Sequence, residues 1–376
     1  MRNISCARSR TRRSGRLSCL TSLAFTEGRG GCCQSVLQTG DARDVRLQYV
    51  RSMDAGALER NIGLDAVRGI AILLVVVSHF LPPSLTGGEH GQIVSEYLGY
   101  AGVILFFLLS GFLMEQTTIS DPSLISFAVR RLARILPMYW VSVLLAQLIA
   151  GPFDLKTIFS NAIFASDVAH TSLMVGVYWT LYVEVRFYAI VPFLRLVGDS
   201  FIRTVPFAAI VLNAILFTHF GQASHLVLYL TYCLAGMQIS FWRRRKLGLL
   251  PLVICVALVS ASASVFTAGH HLVGIAPALG CATILFVLSR SPTLPALASV
   301  GRVSYSWYLL HSLVGMPVAG FLFSHGLNDW LAAITACCLT LGLSILTFHF
   351  IERPAIRVGK LLVDRARQDA LLISSK

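Results

Sequence analysis

Apolar runs of about 20 residues recur along most of this sequence, and they constrain its fold more than any other feature. A helical run of that length spans the hydrocarbon core of a bilayer. Charged residues make up only 13% of the 376 residues and hydrophobic residues 55%, whereas soluble domains carry about 25% charged residues. The sequence therefore predicts an all-α, polytopic integral membrane bundle rather than a string of soluble domains.

About ten transmembrane helices are predicted from these runs and from the polar stretches between them. The stretch 153–176 is less apolar, and we interpret it as an external loop with an interfacial helix around 157–165. Pro354 is expected to end the last transmembrane helix, because a proline restricts the residue before it. The predicted spans are about 62–81, 97–116, 135–151, 177–195, 204–220, 224–242, 247–267, 271–289, 301–323 and 330–351.

The basic residues indicate the orientation of the bundle. Arg and Lys cluster in the loops after the second, fourth, sixth and eighth predicted spans and in the C-terminal tail. The alternate loops contain one lysine and no arginine. The positive-inside rule then places both termini in the cytoplasm. Because topology accounts for the net charge of +13, we expect membrane lipids and no nucleic acid as partners.

The chain divides into three predicted segments. Residues 1–52 are polar and rich in arginine, which indicates a disordered basic leader or sequence upstream of a true start at Met53. Residues 53–358 form the predicted membrane domain, and 359–376 form a basic cytoplasmic tail.

The first span carries an arginine at its start and a histidine deep inside it. Arg68 and His79 are eleven positions apart, which places both on one helical face, roughly 16 Å apart along the axis. Asp65 lies one turn before Arg68 and is expected to pair with it. An ionisable residue within a span indicates a functional site, although a hydrogen bond to a neighbouring helix would equally account for His79.

The fourth span is interrupted by Glu184 and Arg186, and the predicted topology puts Glu184 at a depth similar to that of His79. A carboxylate beside an imidazole fixes its tautomer and raises its basicity, as a general base requires. Tyr188 shares a face with Glu184, whereas Arg186 lies on the opposite side. The structural alternative is an ion pair between Glu184 and an arginine of another helix.

Further polar residues mark the inner halves of the spans. Arg131 and Arg134 lie one turn apart at the start of the third span, where guanidinium groups grip phosphate groups or simply contact lipid headgroups. Ser110 precedes Gly111, and small residues favour close helix packing. His311 lies within the ninth span, where a helix contact and a substrate contact are equally open. We expect no metal site, since the sequence has no His-Glu-x-x-His motif and no metal-ligand spacing of cysteines.

Together, these residues and the segments around them resemble the acyltransferase-3 family of membrane acyltransferases over about residues 60–358. Six segments match in the family's order, and the order makes the resemblance specific although each motif alone is weak. The segments are Leu64 to His79, Phe106-Phe-Leu-Leu-Ser-Gly-Phe112, Arg131-Leu-Ala-Arg-Ile-Leu-Pro137 with Tyr139, Trp179-Thr-Leu-Tyr-Val-Glu-Val-Arg-Phe-Tyr188, Ser304-Tyr-Ser-Trp-Tyr-Leu-Leu-His311 and Glu352-Arg-Pro354.

The resemblance implies a multi-pass protein of a bacterial inner membrane that transfers an acyl group, often acetyl, from acyl-CoA to a hydroxyl group of a saccharide, a glycolipid or another envelope acceptor. Acyl-CoA would be a co-substrate, and no permanently bound cofactor is expected. The family pattern carries catalytic roles onto His79 and Glu184. It carries acyl-CoA binding onto Arg68, Arg131 and Arg134, and substrate or structural support onto Ser110, Trp179, Tyr188, Arg186 and His311.

Two departures and two alternatives accompany this interpretation. Arg186 stands where family members often have glutamine, and the esterase-like domain that some members carry after the membrane part is missing. His79 would act either as a general base or through an acyl-histidine intermediate. A secondary transporter that uses His79 and Glu184 as a proton relay is the alternative function. The sequence does not indicate an oligomeric state.

Overall fold

The fold was obtained as a computed structural model, which describes residues 62–120, 123–220, 225–266, 275–290 and 294–374. All regular structure within these ranges is helical, so the predicted all-α class is confirmed. The helices are α1 (Ile62–Phe80), α2 (Glu89–Ser120), α3 (Leu124–Ile149), α4 (Leu155–Ala162), α5 (Tyr178–Val197), α6 (Asp199–Phe220), α7 (His225–Arg243), α8 (Leu249–Phe266), α9 (Ala276–Arg290), α10 (Pro295–Leu310), α11 (Met316–Ser324), α12 (Asp329–Thr347) and α13 (Arg353–Ser374), with a short helical turn at Pro83–Thr86.

Within the described residues each predicted span overlaps one or more of these helices, but fewer of the helices are long and apolar enough to cross a membrane. Six candidates meet both conditions among the described residues, and α8 and α9 contain shorter apolar stretches. The count of ten and the cytoplasmic placement of the termini therefore stay predictions. The predicted leader, 1–52, lies outside the described residues. The six candidates are Ile62–Phe80, His90–Thr117, Leu124–Ile149, Asp199–Leu216, Pro295–Ser324 and Asp329–Asp369.

The outer surface of the bundle is apolar. Leu148 of α3 and Leu196 of α5 are 81% and 75% exposed, and many other large aliphatic and aromatic side chains point outward. In water such a surface would drive aggregation, whereas in a bilayer the lipid chains cover it. The exposed apolar surface therefore agrees with a multi-pass membrane protein.

Polar side chains cap the N-termini of two helices that follow loops. The Asp154 side chain accepts a hydrogen bond from the Thr157 amide and begins α4, which confirms a helix in the predicted external loop. Hydrogen bonds from the Thr157 side chain and from the Thr157 amide lower the pKa of Asp154, since they favour the charged carboxylate. Asn328 caps α12 in the same way, through the Trp330 amide.

Helix α1 packs mainly between α2 and α10, and glycines allow its closest crossing. A Cβ atom at Gly301 of α10 would lie 1.8 Å from the carbonyl oxygen of Asp65, and one at Gly69 would lie 2.1 Å from that of Leu297. Only glycine permits this backbone approach. The crossing fixes α1 against α10 and so determines which of their side chains meet further along.

A second close crossing joins α2 and α7. A Cβ atom at Gly111 would lie 1.7 Å from the carbonyl oxygen of Cys233, and one at Gly236 would lie 1.9 Å from that of Leu108. The predicted packing role of the small residues around Ser110 is therefore confirmed. Ser110 itself is held beside this crossing, where its hydroxyl group faces α5.

The expected helix end at Pro354 is wrong. A π-helical segment, Phe348–Glu352, follows α12, and α13 continues from Arg353 to Ser374. Pro354 falls in the first turn of α13, where a missing backbone N–H group is tolerated. A second π-helical segment, His311–Gly315, joins α10 to α11.

Candidate functional site

A cavity in one half of the bundle contains three arginines, and we call it the arginine cavity. It lies between α1, α2, α3, α5 and α10 and has a volume of about 90 Å³. Arg68, Arg131 and Arg134 contribute their side chains to its lining, and Glu184 is a carboxylate in the same lining. Three residues predicted to bind acyl-CoA are therefore brought together, although they come from two helices.

Arg68 is held by its own helix. Its Nη1 atom donates a hydrogen bond of 3.0 Å to Oδ1 of Asp65, which is itself 5% exposed. The predicted pair within one turn of α1 is thus confirmed. Because Asp65 also lies at the glycine crossing with α10, the pair orients the guanidinium group toward the cavity.

Arg131 and Arg134 project into the cavity from consecutive turns of α3. Arg131 donates a hydrogen bond of 3.0 Å to the Thr117 hydroxyl, and its guanidinium lies 5.4 Å from the centroid of the Tyr188 ring. Within the described parts of the chain, Arg134 makes neither a hydrogen bond nor an ion pair. Its guanidinium is therefore available to an anion.

Glu184 is tied to the arginine cavity by two hydroxyl groups. Its Oε1 atom accepts a hydrogen bond of 3.1 Å from Ser110 and a short one from Tyr188, four residues later on the same face. Tyr188 in turn lies beneath Arg131. Ser110, Glu184 and Tyr188 therefore form one hydrogen-bonded group in contact with the cationic wall.

A second cavity lies beyond the first and contains His79, and we call it the histidine cavity. Its volume is about 550 Å³. The Nδ1 atom of His79 lies 2.8 Å from the carbonyl oxygen of Val75 and 3.3 Å from the Ser78 hydroxyl. A carbonyl oxygen only accepts, so Nδ1 carries the proton of the neutral ring. The Nε2 atom then keeps its lone pair, and the His79 ring is exposed to the cavity.

The rest of the histidine cavity combines aromatic and polar side chains. Trp179 packs against Tyr229 of α7 with ring centroids 4.6 Å apart and the ring planes tilted by 42°. Tyr100 and Glu96 of α2 lie in the wall beside Trp179, and Ser312 follows α10. A rigid indole surface beside hydroxyl and carboxylate groups suits a ligand with both apolar faces and hydroxyl groups.

His311 lies behind His79. Their ring centroids are 5.0 Å apart, with an angle of 67° between the ring planes. The Nδ1 atom of His311 lies 2.7 Å from the carbonyl oxygen of Tyr308 and 3.2 Å from that of Trp307. The structure thus places His311 against His79, but His311 itself is buried and lines neither cavity.

Tyr308 and Val103 line both cavities. The Tyr308 hydroxyl lies 2.7 Å from the Thr180 hydroxyl and donates to the carbonyl oxygen of Val177 at 3.1 Å. These bonds fasten α10 to the first turn of α5. A molecule that reached from the arginines to His79 would therefore pass beside the Tyr308 ring.

The expectation that Glu184 lies beside His79 is wrong. Trp179 lines the histidine cavity, whereas Glu184 follows five residues further along α5 and lines the arginine cavity. That spacing corresponds to about 7–8 Å of helix rise. The His79 tautomer is set instead by the carbonyl group of Val75. The alternative ion pair is also absent, because Glu184 takes part in none of the ion pairs between described residues.

Arg186 does not contribute a cation to either cavity. Its Nη2 atom forms an ion pair of 2.6 Å with Asp167, which precedes α5. The expected opposite placement of Arg186 and Glu184 is confirmed, since Glu184 lines the arginine cavity and Arg186 lines neither cavity. The residue that departs from the family pattern thus helps to hold the polar segment before α5.

Sequence reasoning missed Tyr308, Glu96 and the carbonyl group of Val75. The sequence shows that Tyr305 and Tyr308 precede His311 by six and three residues. Tyrosines are common in buried helices, so this spacing alone did not indicate a functional role. A backbone carbonyl group leaves no sequence signal. Val75 lies four residues before His79, and this spacing brings a carbonyl group near a side chain in every helix, so it does not distinguish this site.

The fold and the two cavities define a helical membrane protein in which the arginine cavity and the histidine cavity lie next to each other. Residues 61–349 match the acyltransferase-3 family model, described as an acyltransferase domain. This match covers well over half of the chain, so the chain belongs to that family and the resemblance in the sequence is confirmed. The family makes the protein a membrane acyltransferase.

Two curated bacterial proteins are similar to the chain. The exopolysaccharide production protein ExoZ of Rhizobium meliloti (strain 1021) is 28% identical over 306 residues, which cover 70% of this chain and 91% of that protein. Nodulation protein 10 of Rhizobium leguminosarum bv. viciae is 25% identical over 311 residues, which cover 70% and 84%. No solved structure matches the chain.

Proposed function

We propose that the protein transfers an acyl group, with acetyl as the expected group, from acyl-CoA to a hydroxyl group of a saccharide acceptor. The observation that carries the proposal is the arrangement of two cavities that share Tyr308 and Val103. One cavity suits the anionic donor, and the other presents an imidazole nitrogen to a hydroxyl group. The shared wall is where the two substrates would meet.

The arginine cavity supports the donor. CoA carries phosphate groups, and guanidinium groups bind phosphate through parallel charge-assisted hydrogen bonds. Arg134 is the best placed of the three, since no described residue neutralises it, while Arg68 and Arg131 are anchored by Asp65 and Thr117. The apolar part of the lining, which includes Phe106 and Leu113, suits the pantetheine arm and the acyl chain.

His79 supports the chemistry of transfer. As the acceptor oxygen attacks the thioester carbonyl carbon, its proton passes to the lone pair on Nε2 of His79. The new C–O bond forms and the C–S bond breaks, and the departing thiolate then takes the proton back from His79. The Nδ1–H bond to the Val75 carbonyl keeps the ring in the tautomer that this step needs.

The histidine cavity supports a saccharide as the acceptor. Trp179 and Tyr100 provide aromatic faces, and Glu96 and Ser312 provide hydrogen-bonding groups. The name of the Rhizobium meliloti relative refers to exopolysaccharide production, which points to the same class of acceptor. Both named relatives are bacterial, so we propose that the protein acts in a bacterial inner membrane on an envelope or exported glycan.

We assign Glu184 a positioning role in place of the expected contact with His79. Its carboxylate holds Ser110 and Tyr188, and Tyr188 supports the Arg131 guanidinium. The rival proton-relay function relied on His79 and Glu184 being neighbours. Because they line different cavities, nothing in the geometry favours a transporter over an acyltransferase.

The test is acyl transfer by the purified full-length protein in lipid vesicles. Radiolabelled acetyl-CoA is supplied with a mixture of bacterial exported oligosaccharides, and label in alkali-labile esters is counted. We expect wild-type protein to label saccharide and His79→Ala to lose at least about 100-fold of that rate. A wild-type protein that labels no saccharide while it also leaves acetyl-CoA intact would overturn the proposal.

His325→Ala is the matched control. The Nδ1 atom of His325 lies 2.8 Å from the carbonyl oxygen of Phe321 and 3.2 Å from the Ser324 hydroxyl, which reproduces the local contacts of His79. His325 lines neither cavity. Its variant should transfer acyl groups at the wild-type rate, so any loss specific to His79→Ala reports on the cavity.

A further inference from the structure

His311 is a fully buried imidazole that the transfer step described above does not use. It is 0% exposed, and its Nδ1–H group is taken up by the backbone carbonyls of Tyr308 and Trp307. The ring is therefore neutral and bears a lone pair on Nε2. Among the residues that the structure describes, no group donates a hydrogen bond to that nitrogen.

An unpaired buried acceptor is unfavourable. Leaving such a group without a partner costs about 1–3 kcal/mol, and native proteins keep few of them. The helix is also irregular here, because the π-helical segment begins at His311. Such irregularities occur frequently at functional sites. Both features indicate that His311 takes part in an interaction that forms only when charge develops during the reaction.

The partner for this interaction is the His79 ring, which lies against His311. The centroids are 5.0 Å apart, and the rings meet edge to face. The glycine crossing at Gly69 and Gly301 fixes α1 against α10, and each ring is anchored through Nδ1 to a carbonyl group of its own helix. The two imidazoles are thus held together by backbone packing.

We propose that His311 is a positioning residue that stabilises the protonated form of His79 during acyl transfer. This inference rests on the proposed function. When the acceptor proton reaches Nε2 of His79, that ring becomes a cation 5.0 Å, centroid to centroid, from the buried ring of His311, whose Nε2 has no hydrogen-bond partner among the described residues. His311 gains no proton and forms no covalent bond. The cation disappears when the thiolate takes the proton, so the stabilisation is present only while charge develops on His79.

The test compares His311→Gln with His311→Phe. Glutamine keeps an acceptor oxygen near the position of Nε2, whereas phenylalanine fills the space without one. Loss of a charge-assisted interaction predicts that His311→Phe lowers kcat by about 10- to 100-fold. The KM for acyl-CoA should not change, because the arginine cavity is untouched. His311→Gln should recover most of the wild-type kcat.

Equal kcat values for His311→Phe and wild-type protein would overturn the inference, and so would equal losses in the Phe and Gln variants. If His311→Phe does not fold, His311→Leu replaces it in the same comparison. His349→Phe is the control, since this exposed histidine also bonds the carbonyl group four residues earlier. Failure of the proposed function is distinguished by wild-type protein that transfers no acyl group at all.

Discussion

Replacement of Arg134 by glutamine tests the donor side of the account. Arg134 lines the arginine cavity without a hydrogen bond or an ion pair to any described residue, and it lies close enough to Arg68 and Arg131 to repel both electrostatically. Removing its charge therefore breaks no bond inside the described protein and relieves repulsion. We expect the stability of the Arg134→Gln variant to lie within about 0.5 kcal/mol of wild type.

The effect on donor binding should be much larger. A hydrogen bond to a charged group contributes about 1.5–3 kcal/mol, and each 1.4 kcal/mol corresponds to a factor of ten in affinity. Loss of the Arg134 contact to phosphate thus predicts a KM for acyl-CoA raised about 10- to 150-fold. The kcat at saturating acyl-CoA should stay within about twofold of wild type, because His79 and its tautomer are unaffected.

The assay measures the initial rate of saccharide acylation against acyl-CoA concentration, with thermal unfolding in detergent measured in parallel. Arg186→Gln is the matched control, because Arg186 pairs with Asp167 outside both cavities. Its KM should equal that of the wild type. An unchanged KM for Arg134→Gln in a folded, active protein would refute the assignment of the arginine cavity to the CoA phosphates.

Two further predictions concern packing and selectivity. Gly301→Ala should lower thermal stability, because the added Cβ atom would lie 1.8 Å from the Asp65 carbonyl oxygen and overpacking costs about 1–3 kcal/mol. Gly320→Ala is the control: no atom lies within 4 Å of its added Cβ atom, so the unfolding temperature should stay unchanged or rise slightly. Tyr308→Ala should raise the rate ratio for hexanoyl-CoA over acetyl-CoA, because the wall shared by the cavities loses its ring, while Tyr308→Phe keeps the wild-type ratio. Equal stabilities of the glycine variants, or an unchanged ratio in Tyr308→Ala, would contradict these expectations.

The helical class and the positions of the helices could be predicted because the length of each apolar run matches the length of helix that spans a bilayer. The contact between Arg68 and Asp65 was also predictable, since it depends on the spacing within a single helix. The same reasoning brought Arg131 and Arg134 to one cavity wall. These features depend on local spacing along one element.

The partners of His79 could not be predicted in the same way. Depth was judged from span boundaries, which agree with the ends of α1 and α5 to within two residues, but span boundaries do not give the relative heights of two helices in a bundle. The meeting of His79 and His311 depends on the crossing of α1 and α10, which the backbone approach at Gly69 and Gly301 determines. The course of the chain at Pro354 likewise depended on a π-helical segment that has no clear sequence signal.

The most direct test of the central claim, that the histidine cavity carries acyl transfer, is the ester-linked acyl content of exported glycans. It is measured in cells that produce wild-type protein, His79→Ala or His325→Ala at equal abundance in the membrane. The account predicts acylated glycans with wild-type and His325→Ala proteins and background levels with His79→Ala. Acylation by His79→Ala at the wild-type level would contradict it.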